Sequence, residues 1–173
     1  MTSPVGDGTA ALLLGGNLGD RLFYLRAAAD LLRASGVGLA AASPIFDTQP
    51  AENAAQPWYL NRVLLVRAGS APESLLALCR GVEAALGRHR RAPKGPRTLD
   101  VDILFWGGLV RATPRLILPH PALARRRSAL APLALVAPEW RHPVLGSTAA
   151  ELLAACRDPL AVRLLPPELQ DEG

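Results

Sequence analysis

Residues 98–105 alternate with a period of two, and that alternation fits a β-strand better than any other regular structure. Leu99, Val101, Ile103 and Phe105 fall on one face, and Asp100 and Asp102 fall together on the other. Two carboxylates at i and i+2 on an otherwise apolar strand repel each other, and each must shed water to be buried. They are costly unless something positive sits between them. A divalent cation answers that cost, and hard oxygen ligands suit Mg²⁺. Just upstream, Arg88, Arg90, Arg91, Lys94 and Arg97 supply anion-binding groups. Acid pair, cation and guanidinium groups together point to phosphoryl chemistry.

The elements around this strand follow from local patterns. Residues 10–14 read as a buried strand ending in Gly15-Gly16-Asn17-Leu18-Gly19-Asp20-Arg21. Glycines there permit a tight turn and close backbone approach to a ligand, and Asp20 suits an N-cap. The turn lacks the Lys-Ser/Thr ending and spacing of a Walker A loop, and it is not GxGxxG. A helix is expected over 21–35, with Gly36 closing it, and a strand over 37–42. Residues 43–58, rich in Pro, Ala, Gln and Asn, read as a long loop with little secondary structure, the kind that binds or covers a substrate. A strand over 59–66 places Tyr59, Asn61 and Val63 on one face and Leu60, Arg62 and Leu64 on the other. Asn inside a strand is disfavoured, so Asn61 sits at an edge or binds something. Ser70 and Glu73 form a capping box for a helix reaching residue 86, with Leu75, Cys79, Val82 and Leu86 as its buried stripe. Arg80 and Glu83 lie off that stripe, where solvated surface is the ordinary reading. After the basic loop and the acid strand come short strands over 109–111 and 116–118. Helices over 128–136 and from the Thr148/Glu151 capping box follow, and then a strand over 161–165. Short connections dominate, which favours an antiparallel or mixed α+β sheet.

At 173 residues one domain is expected over 1–173, with 1–9 as a flexible leader. Half the residues are hydrophobic, which excludes a disordered chain. The net charge of +4 weakly favours anionic partners. Lys94 is the only lysine, so phosphates must be held almost entirely by arginine, whose guanidinium grips oxyanions bidentately. Cys79 and Cys156 sit in helical apolar patterns and read as buried thiols. No signal peptide or membrane-length segment is present, and a cytoplasmic location is expected. The basic loop lacks the aromatic interleaving of nucleic-acid binders.

The segments GGNLGDR, TQP…QPWYLN, GRHR, GPRTLDVDILFWG and LILPHP…APEW, in this order, resemble those of the 6-hydroxymethyl-7,8-dihydropterin pyrophosphokinases of folate biosynthesis, over roughly residues 12–140. The resemblance implies a ferredoxin-like α+β fold with a central, mainly antiparallel sheet and helices on both faces. It implies transfer of the diphosphate of ATP to 6-hydroxymethyl-7,8-dihydropterin with release of AMP, assisted by two Mg²⁺ ions. By the same resemblance Asp100 and Asp102 are the metal ligands, and Arg88, Arg90 and Arg97 join them as catalytic residues. Glu83, Arg90, Arg97, Ile103, Arg115, His120 and Arg126 match ATP-binding positions, and Gly15, Thr48, Pro50, Tyr59 and Asn61 match pterin-binding ones. Three residues depart from the family pattern. Ser128 stands where an aromatic residue is common on the second face of the pterin, Lys94 where many members carry Trp, and Arg80 where glutamine is frequent. A monomeric, stand-alone enzyme with neither membrane nor nucleic-acid partner is expected. The competing reading is a non-enzymatic nucleotide- or nucleic-acid-binding protein on the same sheet.

Overall fold

The structure is a computed structural model that describes residues 5–88 and 94–171; Arg90 and Arg91 lie outside the described residues. Among the described residues, eight strands and four α-helices run in the order β1 (Thr9–Gly16), α1 (Arg21–Ala34), β2 (Gly38–Ala42), β3 (Phe46–Thr48), β4 (Tyr59–Arg67), α2 (Pro72–Ala85), β5 (Asp100–Trp106), β6 (Arg111–Ala112), β7 (Ile117–Leu118), α3 (Arg127–Val136), α4 (Ala149–Ala155) and β8 (Val162–Leu164). The main sheet has the order β5-β1-β4-β3-β8, with β2 also on β4, and every pair in it is antiparallel. This is the α+β, ferredoxin-like arrangement expected. The leader is shorter at its described end than expected, because Gly6 and Thr9 close a turn and Thr9 already belongs to β1.

Helices cover both faces. Leu12 and Leu14 of β1 and Leu60, Leu64 and Val66 of β4 pack with Leu25 and Leu32 of α1 and Leu75, Cys79 and Val82 of α2. Ala11, Val63 and Leu65 point the other way, onto Leu130 and Leu133 of α3 and Leu152 of α4. Removing this apolar surface from water is the main force holding the layers together. No helix among the described residues is long and apolar enough to cross a membrane.

The 43–58 segment has little secondary structure, as expected; within it Phe46–Thr48 forms β3, bonded to β4 on one side and β8 on the other. Pro44, with no N–H to give, separates β3 from β2, and the Ser43 hydroxyl takes up the Val63 amide at 2.9 Å. Two local expectations need correction. Helix α2 starts one residue later than the capping box implies. Pro72 occupies its first turn, Ala71 is the N-cap without a side-chain bond, and Glu73 pairs with Arg111 instead. Finally, Phe105 does not share a face with Leu99, Val101 and Ile103. The pairing register slips between Ala11 and Leu12, leaving Leu104 as an extra residue on β5. That bulge turns Phe105 to the α3–α4 side, where it stacks on Trp140 at 4.2 Å between ring centroids.

The C-terminal tail returns across the sheet and is clamped at a buried arginine. Arg62 of β4 is 8% exposed and pairs with Asp171, which also accepts a bond from Arg26 Nε at 2.7 Å. Burial alone would raise the Asp171 pKa, but the hydrogen bonds from Arg26 and Arg62 outweigh it and hold the carboxyl below its ordinary value of 3.8. A depressed native pKa means stabilisation present above the unfolded value and lost as pH falls through the native one. Asp171→Asn is therefore expected to cost about 1–2 kcal/mol at pH 7, a buried-pair loss reduced by the partial exposure of Asp171. The gap from wild type should begin to shrink below about pH 4, near the ordinary carboxylate pKa, and go on closing as pH falls through the lower native value. Urea unfolding at pH 7 and at pH 3.5 measures both, and a gap unchanged with pH would show that the ion pair is not its source.

Candidate active site

The sheet is not covered along its whole length on the α3–α4 side. Beyond the N-terminus of α3 the strand ends of β1, β4 and β5 form the floor of a cleft of about 870 Å³, part of it open to solvent. Register sets what the floor displays. Gly15 lies opposite both Asp100 and Asn61, and Leu13 lies opposite Asp102. Both carboxylates of β5 therefore project into the cleft, with Asn61 across the glycine from them.

Gly15 is a packing requirement here, since a Cβ on it would stand 2.1 Å from Asn61 Oδ1. Asn61 Nδ2 donates to Thr48 Oγ1 at 2.6 Å, which fixes the amide on the buried floor. Tyr59 lies at the start of β4, and the Arg97 guanidinium sits 5.3 Å from its ring centroid. All five residues matched to the pterin, Gly15, Thr48, Pro50, Tyr59 and Asn61, line this one cleft. Trp58 does not; its ring lies 4.4 Å beneath Arg163.

Asp100 is held by two arginines. Arg88 reaches it at 2.8 Å while also holding Glu83 at 2.6 Å, and Arg97 pairs with its other oxygen. Burial pushes the Asp100 pKa up to about 6, against the lowering pull of Arg97 and Arg88, with Asp102 and Glu83 adding to the rise. Glu83, expected on a solvated face, is 7% exposed and accepts the Val101 amide of the open strand edge at 2.8 Å. The Asp102 side chain makes no hydrogen bond or ion pair with another described residue. Among the described residues no group of three or more His, Cys, Asp or Glu side chains is placed to hold a metal. A pair of adjacent carboxylates with no third such group placed beside it fits Mg²⁺, which keeps waters and takes phosphate oxygens from a substrate to complete its shell.

The remaining ATP-matched positions divide. Arg97 and Arg126 line the cleft with the acid pair. His120 does not line the cleft but interacts electrostatically with its Asp102 and Arg126, and its Nδ1 accepts the Ala122 amide at 3.1 Å. Burial lowers its pKa, with Arg126 lowering it further and Asp102 raising it, so the neutral ring keeps its proton on Nε2 as a donor. The Ile103 side chain is 3% exposed in the larger core, so only its backbone is available to a ligand. Its amide points to the same strand edge as that of Val101 two residues earlier. Arg115 is exposed in the β6–β7 turn and does not line the cleft. Arg90 lies outside the described residues.

Some groups escape a reading of the sequence. Asn17, 2% exposed, accepts the Arg97 amide on Oδ1 at 2.9 Å and donates to Gln56 Oε1 and the Pro57 carbonyl, each at 3.1 Å. Gln56 in turn donates to the Lys94 carbonyl at 3.1 Å. The GGN turn thus ties the segment carrying Arg97 to the 43–58 segment. An Asn in a glycine-rich turn is the only local sign of this. Asp158 and Leu160 also line the cleft, and no motif marks them. Cys79 is fully buried and its thiol is pushed up to about 12, chiefly by burial, which leaves no thiolate for catalysis.

A family model described as 7,8-dihydro-6-hydroxymethylpterin-pyrophosphokinase matches residues 11–138. A protein of Methylorubrum extorquens named 2-amino-4-hydroxy-6-hydroxymethyldihydropteridine pyrophosphokinase is 38% identical over 146 residues, 84% of this chain and 91% of that one. A Pseudomonas aeruginosa protein of the same name is 40% identical over 144 residues, 83% of this chain and 88% of that one. In shape the chain is similar to the HPPK-DHPS protein of Plasmodium falciparum, with a TM-score of 0.68 at 15% identity over 87% of its own length. It spans 46% of that longer chain, and at this identity the likeness concerns the fold alone.

Proposed function

The chain belongs to the 7,8-dihydro-6-hydroxymethylpterin-pyrophosphokinase family, and from that premise we propose the reaction its cleft carries out. It transfers the diphosphate of ATP to the hydroxymethyl oxygen of 6-hydroxymethyl-7,8-dihydropterin and releases AMP, a step of folate synthesis. One observation carries this reading. The paired carboxylates of β5 and the Tyr59–Asn61 floor open into the same cleft, with the Arg97 guanidinium between them.

The chain's residues divide the work. Tyr59 offers an aromatic face to the flat pterin, and Asn61, held by Thr48, offers an amide that reads its edge. Arg97 and Arg126 face the polyphosphate, His120 donates from Nε2, and the Ile103 backbone is open to the nucleotide base. Arg90 is assigned to the same polyphosphate from the basic loop. Asp100 and Asp102 would hold Mg²⁺, which when bound neutralises phosphate charge and polarises the phosphorus under attack. As the nucleotide enters, Arg88 and Arg97 exchange their hold on Asp100 for phosphate oxygens. Direct in-line attack needs no covalent intermediate, in keeping with the inert Cys79. The same reading takes residues 1–173 as one domain acting as a cytoplasmic monomer with two Mg²⁺ ions.

The test is a balance of products. With ATP, Mg²⁺ and the hydroxymethyl dihydropterin, AMP and pterin diphosphate are expected one for one, and no AMP without the pterin. Equal AMP with and without pterin, or none in either case, contradicts the proposal.

A further inference from the structure

The cleft has one wall that neither the acid strand nor the arginine segment builds. Residues 156–161, between α4 and β8, pass along it as a strap bonded at both ends. At one end Arg127 donates to the Cys156 carbonyl at 2.7 Å and the Asp158 carbonyl at 3.3 Å, and its own amide bonds Asp158 Oδ2 at 3.0 Å. At the other end the Ala161 amide bonds Gln49 Oε1 at 3.0 Å, and the Gln49 amide bonds the Ala161 carbonyl at 2.9 Å. Asp158, Leu160 and Val162 line the cleft from this side. Both Asp158 oxygens already accept backbone amides, the second from Leu160 at 3.1 Å. Each Asp158 oxygen thus has a backbone partner that fixes the strap, and the apolar surface the strap adds to the cleft is that of Leu160 and Val162.

That matters because, among the described residues, Tyr59 is the single aromatic one lining the cleft. Trp58 is engaged with Arg163, and Ser128, next to the strap's anchor at Arg127, presents only a hydroxyl. A flat heterocycle leaves water fully only when both faces are covered. We propose that Leu160, carried by this strap, is a specificity residue for the heterocyclic acceptor, covering the face that Tyr59 does not. The strap lies beyond residues 11–138, so the family match does not itself call for it. The inference rests on the pterin reading of the cleft.

Titration of the intact chain with 6-hydroxymethylpterin, in the presence of Mg²⁺ and a non-hydrolysable ATP analogue, tests it. Leu160→Ala is expected to weaken pterin binding about tenfold, in the range for lost methylene groups in an apolar pocket. Binding of the ATP analogue alone is unchanged, and Leu160→Met recovers most of the lost pterin affinity. Wild-type pterin affinity in Leu160→Ala overturns the inference, as does an equal loss of nucleotide affinity, which marks the strap as structural. A wild-type chain that binds no pterin at all overturns the functional reading instead, so the two failures are distinct.

Discussion

Asp102→Ala is expected to abolish pterin-dependent AMP formation while leaving the chain folded and no less stable. The two halves of this result have one electrostatic origin. The Asp102 side chain makes no hydrogen bond or ion pair with another described residue, so its removal strands no partner among the described residues. Its charge contributes to the rise in the Asp100 pKa, so its loss relieves repulsion in the metal-free chain. With substrate, the balance reverses. A cation supplies several kcal/mol of charge stabilisation to phosphoryl transfer, and a halved carboxylate pair holds it poorly. At about 1.4 kcal/mol per decade, the rate should fall about a thousandfold or more. Thermal unfolding without metal, beside the product assay with ATP, Mg²⁺ and pterin, measures the two effects. An active, well-folded variant would remove Asp102 from the metal site. A variant that fails to fold would show the carboxylate to be structural.

The acid pair was legible because its evidence is local. Period two places Asp100 and Asp102 on one face whatever the rest of the chain does, and the β5 register agrees. What the sequence concealed depends on distant partners. Phe105 follows the same alternation but faces the other way, because the bulge at Leu104 arises in pairing with β1 and leaves no mark in β5 itself. Strand β3 is three residues flanked by Pro44 and Pro50, too short for a periodic signal; it exists because β4 and β8 bond it from both sides. Glu83 belongs to a helix face that reads as solvated, and only the Val101 amide and Arg88 explain its burial. The strap is the extreme case, with Ala161 bonded to Gln49 at a separation of 112 residues. The placement of the acid pair could thus be read from a dozen contiguous residues, while the cleft wall at residues 156–161 could not.

Gly16→Ala is the substitution expected to do most damage without touching a reacting group. A Cβ there would stand 2.1 Å from the Thr98 carbonyl oxygen and 2.8 Å from its carbon. Both obstacles are backbone, so no rotamer change relieves the clash, and the 97–98 segment must move. That segment is joined to the glycine turn by its own hydrogen bonds. The Asn17 and Leu18 amides donate to the Arg97 carbonyl at 2.9 and 3.1 Å, and the Arg97 amide donates to Asn17 Oδ1. Displacing it shifts Arg97 relative to both Asp100 and Tyr59. Overpacking of this kind costs about 1–3 kcal/mol of stability. A misplacement near 1 Å costs about a hundredfold in rate. The expected variant is folded, with a lowered unfolding midpoint and kcat/KM down about a hundredfold. Its activity should fall further than that of Asp171→Asn, which loosens the hold of the C-terminal segment on Arg26 and Arg62. If the two variants lose stability equally and activity equally, Gly16 matters only through stability. If activity falls only in Gly16→Ala, the glycine serves to set Arg97 between the acid pair and the pterin floor.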